Sequence, residues 1–435
     1  MPTTLMGMTD QTPTPEQPTI SASNEDGELV ELVYLPDEHR TCLAVGVGGD
    51  ARIENTVEDR RGIRRFPLSA SNNLIQHGAV LLPSGVETFE TPSSLATEVD
   101  TYLDRYLDLT PNFRAVATWY VLLTWVYDAF NELPYLRFRG DFGTGKTRAL
   151  SIVGSLCYKP FFASGASTVS PIFHILDRFR GTLVLDEADF RFSDEKSELV
   201  KVLNNGNVRG FPVLRNSMNA KREFDPRAFH VYGPKLIAMR QSFDDEALES
   251  RCLTEDMGQR EVRQGIPINL PDSQKDEATT LRNKLLSYRF RYQAKVTIDS
   301  SLVSENRSAR TNQLLVPLLS IMTDDDARVR VRDFAAGIDD DLRFDRSMRP
   351  EALVLRVIVE LFGGRPQTNL SLSEISKVVI ERHGKDFDRY VTPRYIGELV
   401  RKRLRLTTHK SHGVYVIPST EEAKIVFLRD RFGIN

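Results

Sequence analysis

Tyr135 to Thr147 reads YLRFRGDFGTGKT, and from Gly140 to Thr147 it fits G-x-x-x-x-G-K-[ST] in full. The spacing suits phosphate chemistry. Gly140, Gly143 and Gly145 let the backbone curl so that successive N–H groups, Thr144's included, point inward at phosphate oxygens. Lys146 is then placed for the β- and γ-phosphates and the Thr147 hydroxyl for Mg²⁺. Leu136 and Phe138 alternate with Arg137 and Arg139 as in a strand. Leu150, Val153, Gly154 and Cys157 recur as one face of a following helix, whose positive N-terminal end adds to the anion site. Strand, glycine-rich turn and helix form the context such a motif needs.

The second half of a nucleotide site is expected about forty residues on. Thr182-Leu183-Val184-Leu185 is a buried-strand pattern that ends in Asp186-Glu187, one βα unit after the first motif. Asp186 is placed to hold Mg²⁺ through water, and Glu187 to orient and deprotonate an attacking water. The expected cofactors are therefore ATP and Mg²⁺.

Bulk properties narrow the setting. The chain has 435 residues, enough for two to three domains, and a formal net charge of −3, so any nucleic-acid surface must be local. Cys42, Cys157 and Cys252 are far apart, which suits a reducing compartment. No basic-then-apolar leader is visible, and the apolar-rich run Trp119 to Phe130 is too short to span a bilayer. These features predict a cytoplasmic protein without a membrane partner.

Around the motifs the chain falls into five segments. Residues 1–26, rich in Thr, Pro, Ser and Gln, are expected to be a disordered tail, and 27–90 a small β-rich module. Residues 91–273 form the nucleotide-binding core. Its leading helices are capped by Ser93 or Ser94 and opened by Pro111, and their aromatic stripe reads as core. Residues 274–345 read as a helical lid. Residues 346–435 read as three helices plus a hairpin, with Leu406–Thr408 and Val414–Ile417 pairing: a winged helix-turn-helix. From 371 to 417 there are ten Lys and Arg against five Asp and Glu. Arg394, Arg401, Lys402, Arg405 and Lys410 are placed to face duplex phosphates, although such modules also dock proteins.

GDFGTGKT, LVLDEAD, KLIAMRQS and ALESRC, in that order, resemble the AAA+ ATPases over roughly residues 110–335. The resemblance implies an α/β fold with a doubly wound parallel sheet and an active site between subunits. It also implies a polar γ-phosphate sensor at the end of the fourth strand, where Arg240 or Gln241 stands in place of the usual Asn or Thr. Arg251 matches an arginine finger acting on the neighbour's ATP, and Arg307 or Arg310 a lid residue reaching the γ-phosphate. A finger acting in trans implies a homo-oligomeric ring, a hexamer.

Phe211–Arg215 and Phe224–Tyr232 flank a polar segment and read as an inserted β-hairpin. This hairpin resembles the pre-sensor hairpin of minichromosome-maintenance-like, self-loading helicases of mobile elements. There, Lys221 and Arg222 at the tip imply contact with single-stranded DNA in a pore. The function expected is an ATP-driven DNA motor, a helicase or replication initiator. A non-helicase switch (a DNA-bound regulator or defence ATPase) and a protein-remodelling ATPase stay open as alternatives.

Overall fold

The computed structural model describes residues 16–24, 27–165, 167–186, 194–218, 224–364, 368–387 and 390–434. The chain divides into two compact units between Phe334 and Ala335.

The first unit opens with β1 (Glu16–Thr19), β2 (Ser21–Ser23), β3 (Leu29–Leu35), β4 (Arg40–Val47), β5 (Asp50–Glu54), β6 (Val57–Glu58) and β7 (Arg64–Pro67). They make two sheets, β1-β7-β6 and β2-β3-β4-β5. Order therefore begins inside the stretch expected to be a tail. Glu16–Thr19 runs parallel to Arg64–Pro67, Ser21–Ser23 pairs with Leu29–Glu31, and Ile20 is buried between them. Ladder hydrogen bonds and one buried isoleucine order a segment whose composition lacks a hydrophobic pattern.

Next come α1 (Asn73–Gln76), α2 (Pro92–Tyr106) and α3 (Pro111–Trp125). The cap of α2 is Thr91, in a reciprocal capping box with Ser94. On α3, Trp119 and Tyr120 are fully enclosed, and the Tyr120 hydroxyl donates to the carbonyls of Pro134 and Lys235. An apolar helix with one polar anchor thus ties α3 to the main sheet.

The core follows as β8 (Tyr135–Arg139), α4 (Lys146–Gly154), β9 (Phe161–Ala163), α5 (Val169–Phe179), β10 (Leu183–Leu185) and α6 (Asp194–Asn205). Then come β11 (Val213–Met218), β12 (Phe224–Phe229), β13 (Lys235–Met239), α7 (Glu246–Glu249) and β14 (Cys252–Asp256). The main sheet is five-stranded and wholly parallel, in the order β14-β8-β13-β10-β9. By order of appearance within this sheet, that is fifth, first, fourth, third, second. Strands β11 and β12 stand apart as an antiparallel hairpin, paired from Val213↔Phe229 to Met218↔Phe224.

Helices α8 (Ser273–Tyr292), α9 (Ala309–Ile321) and α10 (Asp325–Ser347) complete this run. The division between the two units falls within α10, which runs from Asp325 to Ser347, ahead of Pro350.

The second unit contains α11 (Pro350–Gly364), β15 (Leu370–Ser371), α12 (Leu372–His383) and α13 (Pro393–Glu398), extended by a π-turn over Leu399–Arg403. It ends with β16 (His409–Ser411), β17 (Val414–Ile417) and α14 (Glu422–Arg431). The sheet order is β15-β17-β16, over a core that includes Leu355, Ile375, Ile396, Val400 and Ile417. The strand expected at Leu406–Thr408 lies instead at His409–Ser411. His412 (φ 46) and Gly413 (φ 87) make a two-residue turn with both φ positive, which pairs the residues directly beside it. No helix among the described residues is long and apolar enough to cross a membrane.

Candidate nucleotide site

The glycine-rich turn joins the C-terminal end of β8 to the start of α4. Two glycines are needed for backbone reasons. A Cβ on Gly140 would lie 2.5 Å from the Met257 carbonyl oxygen, and Gly145 caps α4 in the left-handed region at φ 87. Met257 and Gly258 therefore wall the turn from behind, a contact with no signal in the sequence because the wall follows β14.

Lys146 Nζ donates to the Asp141 carbonyl at 2.6 Å and Thr144 Oγ1 to the same oxygen at 2.9 Å. Thr147 Oγ1 donates to Asp186 Oδ2 at 2.8 Å. The two motifs read separately from sequence thus meet in space. A cavity of about 360 Å³ is lined by Phe142 to Thr147, Asp186, Met239 and Arg240. It opens where β8, β10 and β13 end, the edge where open α/β sheets bind ligands. Hard oxygen donors on Thr147 and Asp186 suit Mg²⁺, and the curled turn with Lys146 suits a polyphosphate. Glu187 lies outside the described residues.

Arg251 and Arg310 lie at the other end of the sheet. The Arg251 carbonyl accepts from Tyr135 N at the start of β8, and its guanidinium donates to Asn207 Oδ1 at 2.8 Å and Asn204 Oδ1 at 2.6 Å. Arg310 Nε donates to the Ser250 carbonyl and hydroxyl at 3.3 and 3.2 Å. Burial, and then the neighbouring Arg251 charge, push the Arg310 guanidinium below its ordinary value. Of the two lid arginines expected to reach a γ-phosphate, Arg307 donates to the Arg332 carbonyl at 2.6 Å, and Arg310 lies beside Arg251, at the end of the sheet where β8 begins.

Glu249 connects the two ends. Its carboxylate accepts from Arg137 through two nitrogens and from Phe243 N at 2.9 Å. Phe243 lies three residues after Arg240, which directly follows β13, and Glu249 precedes Arg251 by two residues. Burial opposes the Glu249 charge, but the Arg137 hydrogen bonds and charge outweigh it and hold the carboxyl below the usual carboxylate range. Sequence reasoning missed this pair. Its signal was an arginine inside a central strand, which must find a carboxylate when buried.

On the second unit, Arg394, Arg401, Lys402, Arg405 and Lys410 are all exposed. Arg401 lies over the Tyr415 ring at 5.5 Å, and Lys402 approaches Glu398 at 3.8 Å. Lys221 and Arg222 lie outside the described residues; the stem that would carry them is the β11–β12 hairpin.

No protein-family model and no curated protein matches the chain. Among solved structures it is similar to the NrS-1 C-terminal region in its A-form apo state, at 10% identity over 89% of this chain and 96% of that one, with a TM-score of 0.40. The SCCmec type IV Cch structure, described as an active helicase, matches at 12% identity over 88% and 78%, TM-score 0.38. The JCV helicase matches at 12% identity over 57% and 61%, TM-score 0.25. Likenesses this remote carry no argument, so function is read from the site.

Proposed function

We propose that this chain is an AAA+ ATPase working as a ring-forming DNA motor, a helicase or replication initiator of a mobile element. The observation that carries the reading is the division of catalytic groups across one sheet. The P-loop and Asp186 meet at the C-terminal edge of the strands, while Arg251 and Arg310 sit together at the opposite edge. A subunit built this way cannot bring its arginines to its own nucleotide. A neighbour can supply them, and repeating that head-to-tail contact closes a ring, here a hexamer. The wholly parallel five-stranded sheet, flanked by helices, is in keeping with the doubly wound sheet that the AAA+ resemblance implies.

Bound ATP would supply the transferable phosphoryl group, with Mg²⁺ to neutralise its charge. Lys146 and the turn amides bind and orient the phosphates. Thr147 and Asp186 hold the metal side, Glu187 takes the proton of the attacking water, and Arg240 reads the γ-phosphate position. Arg251 and Arg310 enter from the next subunit. The hairpin carries Lys221 and Arg222 to single-stranded DNA, and the second unit, as a winged helix, sets Arg394, Arg401, Lys402, Arg405 and Lys410 against duplex phosphates.

The test is ATP hydrolysis by the purified chain with and without single-stranded DNA. Lys146→Ala loses nucleotide binding, whereas Glu187→Gln binds but turns over at least ~100-fold more slowly. DNA-stimulated turnover supports the motor. Turnover indifferent to DNA moves the reading to a regulatory or remodelling ATPase.

A further inference from the structure

A second cavity, of about 810 Å³, lies at the edge of the sheet opposite the nucleotide. Tyr158, Arg180 and Tyr232, just ahead of β9, β10 and β13, line one side of it, and Gln17 to Ser23 line the other. Five arginines face it (Arg65, Arg178, Arg180, Arg209 and Arg289) against two acids, Asp128 and Asp177.

Not all of that charge is available. Arg289 is neutralised by Glu31 and Asp128, both at 2.7 Å, and Arg65 bridges to Asp59 at 3.0 Å. Arg209 lies over the Tyr232 ring at 5.4 Å. Arg178 and Arg180 are exposed and have no carboxylate partner among the described residues.

The backbone at Arg180 adds an independent observation. It caps the C-terminus of α5 in the left-handed region, at φ 49 and ψ 45. Glycine fills that position without strain, so an arginine there opposes local preference. Its backbone is held there by its N–H on the Leu176 carbonyl and by its carbonyl, which accepts from the Tyr127 hydroxyl at 2.7 Å, so the side chain is fixed at the mouth of the cleft. Gly210 and His230, which bracket the β11–β12 hairpin, also line the cavity.

We propose that this cleft binds the phosphodiester backbone of single-stranded nucleic acid and leads it to the root of the hairpin. The proposal rests on the DNA-motor reading and deepens it. Its volume lies within the ~300–1,000 Å³ of pockets that take drug-sized ligands, the scale of a few nucleotides of one strand. Arg178 and Arg180 contact successive phosphates, with Arg209 at the rim. The shared chemistry, a phosphodiester or phosphate on arginine, also fits a free nucleotide, so the experiment carries both probes.

The full chain is titrated with fluorescein-labelled oligo-dT, followed by anisotropy across a salt series, with AMP and inorganic phosphate as competitors. In Arg178→Ala/Arg180→Ala, binding is expected to weaken at least ~10-fold at low salt. The slope of log affinity against log salt falls by about 1.4, from ~0.7 per phosphate contact on a single strand. Arg178→Lys/Arg180→Lys restores most of both effects. Arg180→Gly alone weakens binding while melting at the same or a higher temperature, which separates the charge from the fold. Basal ATP hydrolysis is unchanged in each variant.

Wild-type affinity and slope in the double alanine variant overturn the proposal. So does a loss confined to duplex DNA, or full displacement of oligo-dT by millimolar AMP or phosphate. A wild-type chain that binds no single strand and shows no DNA stimulation overturns the motor reading itself. Wild-type binding with an unaffected double variant overturns the cleft alone.

Discussion

Arg137 is the residue on which the two ends of the sheet turn. It sits in the interior strand β8, between β14 and β13, with 2% of its side chain exposed, and Glu249 answers its charge. Removing one partner of such a pair strands the other. Glu249→Ala is expected to cost about 2–3 kcal/mol at the urea midpoint. That is below the ~3–5 kcal/mol of a fully enclosed pair, because a quarter of the Glu249 side chain remains exposed. Glu249 also bonds Phe243 N and precedes Arg251, so the same variant should keep ATP binding but lose turnover, by about tenfold or more. Arg137→Met/Glu249→Met separates the two effects. Stability recovers because no charge is stranded, while turnover stays low; recovery of both would mean the pair only packs.

At the scale of elements, β3 is held to the core by a carboxylate. Glu31 accepts from Arg289 Nε at 2.7 Å and from the Tyr158 hydroxyl at 2.7 and 2.8 Å, and it pairs with Lys159 at 2.5 Å. Burial alone would raise its pKa. Lys159 and Arg289 outweigh burial and hold the carboxyl below the usual carboxylate range. A depressed folded-state pKa contributes stability that is complete above the unfolded value, near ~4.3, and lost as the pH falls through the folded value. Limited proteolysis of residues 16–67 should therefore stay slow from pH 7 to about 5 and accelerate below about 4. Lys159→Ala should accelerate it already at pH 7. A second contact seats β4 on α8, since a Cβ on Gly46 would lie 2.3 Å from the Phe290 ring. Gly46→Ala is expected to destabilise by about 1–3 kcal/mol in denaturant titration, through overpacking.

For the whole molecule, the proposed action of Arg251 on a neighbour's nucleotide predicts complementation. Lys146→Ala and Arg251→Ala chains are each expected to be inactive, and a mixture to regain part of the wild-type rate, because some interfaces join an intact P-loop to an intact arginine. No recovery on mixing, or full activity in a strictly monomeric chain, would remove the ring. On the winged-helix reading proposed above, residues 335–435, a compact unit, should bind duplex DNA with steep salt dependence. Arg394→Ala/Arg401→Ala/Lys402→Ala lowers the slope by up to ~0.9 per lost phosphate contact; a flat salt profile in the unaltered unit would point to protein docking.

Local pattern alone determined the strand, turn and helix around Lys146, the apolar strand ending in Asp186 and the hairpin after Phe211. Each depends on residues within a few positions of one another, where periodicity and turn chemistry speak directly. The tertiary structure decided the rest. It ordered Glu16 to Ser23, whose partners Leu29 to Glu31 and Arg64 to Pro67 lie in other strands, and it moved β16 next to its turn. It buried Glu31 against Arg289, 258 residues away, and Arg137 against Glu249, 112 residues away. It also set Arg310 beside Arg251. A charge in a strand looks the same in sequence whether it meets water or a distant counter-ion. Only the packing that removes the water shows which one it meets.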